Sequence, residues 1–148
     1  MSDDDSQVGA TGEPFELRVE LGKVREFARA TKSKHPEHLA EDGVEPVTFL
    51  QTSAFWMTPA SNPWVGRGRK LERILHGEQE FTFHGEPPGP GAVLTGTARI
   101  DKVYEKEGKR GGTMSFTEMV TEYRDQDGRL VAESRSTTIE TSKATTEG

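Results

Sequence analysis

Cysteine is absent from this 148-residue chain, which excludes disulfide frameworks, cysteine nucleophiles and thiolate metal sites. No apolar run approaches the ~20 residues that a membrane-spanning helix requires. The opening stretch MSDDDSQVGATGE is acidic and polar, without the basic and apolar regions of a secretion signal, so the chain reads as cytoplasmic. An excess of positive charge is also missing. The net charge of −6 argues against a general nucleic-acid binder, because phosphate neutralisation needs clustered Lys and Arg. Apolar residues are scarce at 31%, against 30% charged. That balance suits one small domain with polar tails, or a subunit whose apolar surface is completed by a partner.

What is present divides into two unlike halves, with no internal repeat. Residues 1–13 carry almost nothing apolar and are expected to form a disordered acidic tail, as are residues 142–148 at the other end. Within the domain expected over 14–141, FELRVE (Phe15 to Glu20) alternates apolar and polar residues, the pattern of a strand. Gly22 breaks it, and KVREFARAT follows with Val24, Phe27 and Ala28 at helical spacing. Pro36 ends that helix or starts a new turn. The dense run VTFLQTSAFWM (Val47 to Met57), closed by Pro59, is ambiguous by periodicity; its length and small residues favour a mostly buried helix.

The second half reads as strands throughout. ILHGEQEFTFHG, AVLTGTARIDKVYEK, TMSFTEMVTEYRD and RLVAESRSTTIET place Thr, Val, Phe and Tyr at alternate positions. Asp127-Gly128 marks a hairpin between the last two. Helices followed by an antiparallel meander make an α+β domain, with the apolar helix packed on the sheet.

Several groups invite a chemical reading. His35, Glu37 and His38 lie close together, yet no pattern supplies the third ligand and geometry that a catalytic zinc requires, so no metal is expected. DQDG lacks the distant glutamate of a calcium loop and is a turn. Arg67, Arg69 and Lys70 in GRGRK, like Lys109 and Arg110 in EGKRGG, are either solvated loop charges or a cluster for phosphate groups. Phe49, Phe55, Trp56 and Trp64 either fill a core or line an apolar channel.

Three stretches together resemble the MaoC-like hydratases and dehydratases, and most closely their N-terminal-type domains. These are VREFARAT…HPEH, LHGEQEFTFHGEPPGPGAVLTGTARIDKVYEKEGKRGGTM and YRDQDGRLVAESRSTTIET. The resemblance implies a hotdog fold, in which a curved antiparallel sheet wraps a central helix and two hotdogs pair. It also implies a chemistry, the reversible loss of water from a 3-hydroxyacyl thioester. In the family, an Asp and a His five residues apart hold the water, and a helix-terminal N–H polarises the thioester carbonyl.

The family motif runs approximately F-A-R-x-T-G-D-x-N-P-x-H. Matched by helix and proline, it sets Lys32 at the glycine, Ser33 at the aspartate, His35 at the asparagine, Pro36 at the proline and His38 at the histidine. The histidine is kept and the carboxylate is not. The family's glycine near the central helix is also replaced, since EPVTFL carries Pro46 and Thr48 there.

A degenerate site follows, in which His38 is either the remaining catalytic-type residue that touches substrate or simply a polar turn residue. The resemblance makes Thr48, Phe55, Trp56, Arg67, Arg69 and Lys70 the expected substrate contacts. It implies no cofactor beyond the coenzyme A or carrier protein that bears the acyl thioester. The implied partner is a catalytic MaoC-like hotdog or a second copy of this chain. Within this frame the chain is a non-catalytic half of an (R)-specific enoyl-CoA hydratase or 3-hydroxyacyl dehydratase, contributing part of the substrate tunnel. Two rivals stand beside it. One is an acyl-thioester binding protein without chemistry; the other is a hotdog thioesterase, which needs a carboxylate near the central helix such as Glu45 or Glu78.

Overall fold

The structure, a computed structural model, describes residues 7–109 and 112–143. Its regular elements begin with β1 (Phe15–Arg18) and α1 (Leu21–Ala30). A 3-10 turn at Pro36–His38, a longer 3-10 helix at Phe49–Phe55 and a third 3-10 turn at Leu71–Arg73 follow. Four long strands complete the chain, β2 (Ile74–Phe83), β3 (Val93–Glu107), β4 (Thr113–Arg124) and β5 (Leu130–Thr141). They join β1 in one sheet of order β1-β3-β4-β5-β2, with every neighbouring pair antiparallel. This is the α+β hotdog architecture that the resemblance implies.

The period-2 pattern sorts each strand between two faces. Met119, Thr121 and Tyr123 of β4, Ser134, Ser136 and Thr138 of β5 and Gln79 of β2 line the concave side. The alternate residues face outward. There Arg135 binds Asp101 at 2.8 Å and Glu118 at 3.1 Å, while Arg99 reaches Asp101 at 3.6 Å and Glu122 at 3.7 Å. Such solvated pairs are worth about 0–1 kcal/mol each, so the outer face gains solubility more than stability. The β4–β5 hairpin forms where Asp127-Gly128 predicts it. Gly128 takes φ +81°, and Asp125 Oδ1 accepts the N–H groups of Asp127 and Arg129, both at 3.0 Å.

The core lies at the β1 end of the concave side, where Phe15, Leu17, Val19, Val24, Phe49, Leu50, Leu94 and Tyr123 form one buried cluster. Val24 and Ala28 are the buried residues of α1, as their spacing predicts. Gly96 is required here: Phe15 lies opposite it across the β1–β3 pair, and a Cβ on Gly96 would stand 2.3 Å from the Phe15 ring.

Three expectations are corrected. The Val47–Met57 run does pack on the concave face, but as a seven-residue 3-10 helix at Phe49–Phe55. It is also buried on one side only. Phe49, Leu50 and Ser53 turn inward, while Val47 and Phe55 are exposed, Phe55 by 90%. Its inner side is fixed by tertiary contacts, with Ser53 held by the Tyr123 hydroxyl at 2.9 Å and Phe49 and Leu50 buried in the core. Gly22 does not separate strand from helix, since β1 ends at Arg18 and Gly22 is the second residue of α1. Residues 7–13 are not a free tail. Gly9 and Gly12 donate backbone hydrogen bonds to Ile100 and Ala98 of β3, and Thr11 forms a bridge with Arg99. Backbone pairing along an open strand edge orders a segment that has no side chains to bury. The remainder of both expected tails, residues 1–6 and 144–148, and Arg110 lie outside the described residues.

Candidate functional site

The turn after α1 is built by a helix stop. Ser33 N–H bonds back to Ala28 O at 2.8 Å and Lys32 N–H to Arg29 O at 3.1 Å, the paired bonds of a Schellman cap. Such a cap needs a left-handed residue, and Lys32 supplies it at φ +57°. Glycine is the residue that takes this conformation without cost. Lys32 therefore does, under strain, what the family's glycine does.

The cap delivers Ser33 to His38. Ser33 Oγ lies 2.5 Å from His38 Nδ1, and it also accepts the His35 N–H at 3.3 Å. The His35 ring stands edge-on to His38 with centroids 5.3 Å apart. The two side chains that the motif pairs are thus in contact, both partly exposed. The hydroxyl and the imidazole nitrogen share one hydrogen bond, whose direction follows the tautomer of His38. Among the described residues, no carboxylate hydrogen-bonds to Ser33 or His38 to take a proton from carbon.

A second feature lies between α1 and the 3-10 helix. An apolar hollow of about 520 Å³ is lined by Phe27, Ala30, Phe49, Thr52, Phe55 and Trp56, with Arg18, Lys23 and Glu26 at its polar margin. Phe27 meets Phe49 edge to face at 5.5 Å and closes one wall. Of the expected contacts, Phe55 and Trp56 come together here. Thr48 is exposed at the start of the 3-10 helix and does not line the hollow, and neither do Ser33 and His38.

Sequence reasoning missed the buried polar group beneath that helix. Tyr123 Oη donates to Ser53 Oγ at 2.9 Å, and burial pushes the tyrosine up to about 12. Close by, Glu45 is fully buried and neither carboxyl oxygen has a hydrogen-bond partner. Burial raises its pKa to about 8, so it is neutral at pH 7. With no exposed surface, the Glu45 carboxyl has no contact with a substrate outside the core. Glu78, the other thioesterase candidate, is exposed at the β2 bulge. No local pattern announces the burial of Glu45, because its surroundings come from distant segments.

The basic loop separates its three residues. Arg67 and Arg69 enter a polar cavity of about 340 Å³ together with Arg73, whereas Lys70 stays exposed outside it. Arg73 carried no signal in the sequence, since a single arginine before a strand is unremarkable.

Residues 6–134 match the family described as FAS1-like, dehydratase domain region. A UPF0336 protein of Clavibacter michiganensis subsp. michiganensis is 38% identical over 93 residues, covering 55% of this chain and 60% of that protein. A UPF0336 protein of Mycolicibacterium paratuberculosis is 28% identical over 130 residues, covering 82% of this chain and 71% of that protein. The chain thus spans only 60% of the first relative's length. Among solved structures, the C-terminally truncated HadBC (3R-hydroxyacyl-ACP dehydratase) complex of Mycobacterium tuberculosis superposes with a TM-score of 0.70 at 25% identity, over 90% of this chain and 98% of that one. No helix among the described residues is long and apolar enough to cross a membrane. By sequence match over most of its length, and with the hotdog sheet to support it, this chain belongs to the FAS1-like, dehydratase domain region family.

Proposed function

We propose that this chain is the non-catalytic hotdog of a two-hotdog (R)-specific enoyl-thioester hydratase or 3-hydroxyacyl-thioester dehydratase. One observation carries the reading. The contact between Ser33 and His38 keeps the geometry of a proton-transfer pair while the carboxylate of that pair is replaced by a hydroxyl. Dehydration needs one group to take the C2 proton and another to protonate the leaving hydroxyl. General acid–base catalysis supplies about 10²–10⁴-fold, and a serine beside one histidine leaves most of that unsupplied. The apolar hollow, by contrast, is present and of a size to hold an acyl chain. A partner hotdog would bring the missing Asp and His and cover the exposed Phe55. That the HadBC relative is a complex of this kind of enzyme supports a hotdog partner for this chain.

The thioester is carried by coenzyme A or by a carrier protein. The test is steady-state hydration of a short enoyl-CoA by the purified chain, alone and with a catalytic MaoC-like hotdog. Activity only in the mixture supports the reading.

A thioesterase reading has one specific observation in its favour: a serine hydroxyl in hydrogen-bond contact with an imidazole nitrogen has the geometry of a nucleophile–base pair. Against it, the Nε2 side of His38 has no orienting group among its hydrogen bonds in the described residues. Free thiol released from acyl-CoA by the wild type, and lost in Ser33→Ala, would favour it.

A further inference from the structure

The 3-10 helix at Phe49–Phe55 separates two cavities of opposite character. Phe49, Thr52 and Phe55 line the apolar hollow beside α1. Gln51, Ser53 and Ala54 instead line a groove of about 230 Å³ against the sheet, and the two cavities share no residue. The floor of the groove is the concave face of β4, β5 and β2, where Ser and Thr at alternate positions supply a row of hydroxyls. Register places Thr121 opposite Ser134, and sets Ser136 between Met119 on one side and Gln79 on the other.

Several of these groups are uncommitted. Thr121 is only 6% exposed and makes no side-chain hydrogen bond among the described residues. Its oxygen opens into the groove and is not sealed within the sheet. Ser136 and Thr138 likewise have hydroxyls without partners among the described residues. Ser134 Oγ accepts from Gln79 Nε2 at 2.7 Å and keeps its own proton to donate. A buried hydroxyl without a partner is costly, and a ligand of matching chemistry removes that cost.

The lining narrows the class of ligand. Among the described residues it contains no Asp, Glu, Lys or Arg, so nothing there would compensate an ionised group taken out of water. Ala54, Met57 and Met119 add apolar surface beside the hydroxyls. A hydrocarbon chain that carries a neutral oxygen fits this mixture. A bare alkyl chain would strip water from the hydroxyls and give no bond in return. The volume is below the ~300–1,000 Å³ of a site for a drug-sized molecule, so the groove holds a segment of a ligand.

We propose that this groove selects acyl chains bearing a neutral oxygen substituent, a hydroxyl or a carbonyl, with Thr121, Ser134 and Ser136 as its specificity-determining residues. The inference deepens the acyl-thioester reading and rests on it. The oxygen recognised here is distinct from the one lost as water, because neither Ser33 nor His38 lines the groove.

The experiment is titration of the whole chain with non-hydrolysable coenzyme A thioethers, followed by the methyl resonances of Met119, Thr121 and Thr138. The probes are hexyl, octyl and decyl chains, each plain, ending in a hydroxyl or ending in a methyl ketone. At one length, an oxygen-bearing chain should bind about tenfold tighter than the plain chain and shift those methyls. The tighter of the two oxygen-bearing chains identifies the substituent. Thr121→Val keeps the shape and removes the hydroxyl, so it should erase most of the preference without weakening the plain chain. Ser136→Ala should reduce the preference about threefold. If Thr121→Val disturbs the fold, the wild-type ratio and Ser136→Ala still decide. Equal binding of plain and oxygen-bearing chains at every length, or a preference that survives both substitutions, overturns the proposal. Binding of no thioether overturns it together with the acyl-thioester reading. Equal binding leaves that reading intact, so the two failures are distinguishable.

Discussion

Ser33 Oγ and His38 Nδ1 lie 2.5 Å apart across a turn fixed by the end of α1. The pair is placed for proton transfer to each other and lacks a carboxylate for the substrate. Alone, the chain should hydrate a short enoyl-CoA poorly or not at all, and a catalytic hotdog should restore turnover. Ser33→Asp returns a carboxylate beside His38 but not the rest of the constellation. Exposed Lys32 and Lys34 flank the new group and would lower its pKa, weakening it as a base. Its gain should be small. Robust wild-type turnover without a partner, abolished by His38→Ala, would falsify the accessory-subunit reading.

Lys32 sits at φ +57° in a cap that favours glycine. A side chain costs about 1–2 kcal/mol in this conformation, and glycine's extra freedom when unfolded returns part of that. Lys32→Gly should therefore stabilise the fold by about 0.5–1 kcal/mol, while Lys32→Ala should give no such gain. Urea denaturation of the three proteins measures this, and an unchanged midpoint in Lys32→Gly refutes it.

Glu45 is the dominant pH-sensitive group of the interior. Its pKa is raised from 4.5 to about 8 by burial, so between these values the unfolded chain releases a proton that the native chain keeps. The unfolded state binds fewer protons there, and stability falls with rising pH by about 1.4 kcal/mol per unit. The contribution is fully present below pH 4.5 and gone above about pH 8. Asp101, lowered mainly by its hydrogen bond to Arg135, acts in the opposite sense at more acidic pH. In Glu45→Gln the difference from wild type should be flat below this window, grow across it and level off above it. Parallel curves for the two proteins would show that Glu45 does not titrate late.

Gly96 admits the Phe15 ring at a distance where no Cβ fits. Gly96→Ala must displace a core aromatic that also meets Tyr123 edge-on at 6.3 Å. Overpacking of this kind costs about 1–3 kcal/mol. Adding Phe15→Leu should recover part of the loss, and strictly additive losses in the double variant would disprove the contact.

Pairing should be visible in solution. Phe55 is 90% exposed beside the apolar hollow, and β2 presents a ten-residue edge to solvent. Sedimentation at micromolar concentration should give a dimer of this chain when no partner is present, weakened by Phe55→Glu. A monomer that keeps its stability on dilution contradicts the expectation.

The strands were legible because their signal is local. Alternation over ten or more residues specifies a half-buried strand, and Asp127-Gly128 specifies the turn between two of them. The pairing of Ser33 with His38 came from the family motif rather than from a local pattern, and the capped turn is what brings the two into contact. The 3-10 form of Phe49–Phe55 was less legible. A run of apolar residues between prolines records its burial, not the hydrogen-bond register that packing against Tyr123 selects.

The sequence by itself therefore determined the fold class, the missing carboxylate at Ser33 and the apolar character of the segment that lines the hollow. Tertiary structure alone decided which polar residues matter. Glu45 becomes a neutral acid only because segments far apart in sequence exclude water from it. Thr121, Ser134 and Gln79 share one groove only because β4, β5 and β2 pair in register beneath the 3-10 helix. Local propensity is written residue by residue, whereas desolvation depends on everything that surrounds a group. That is why the elements could be read from the chain and the electrostatics of its interior could not.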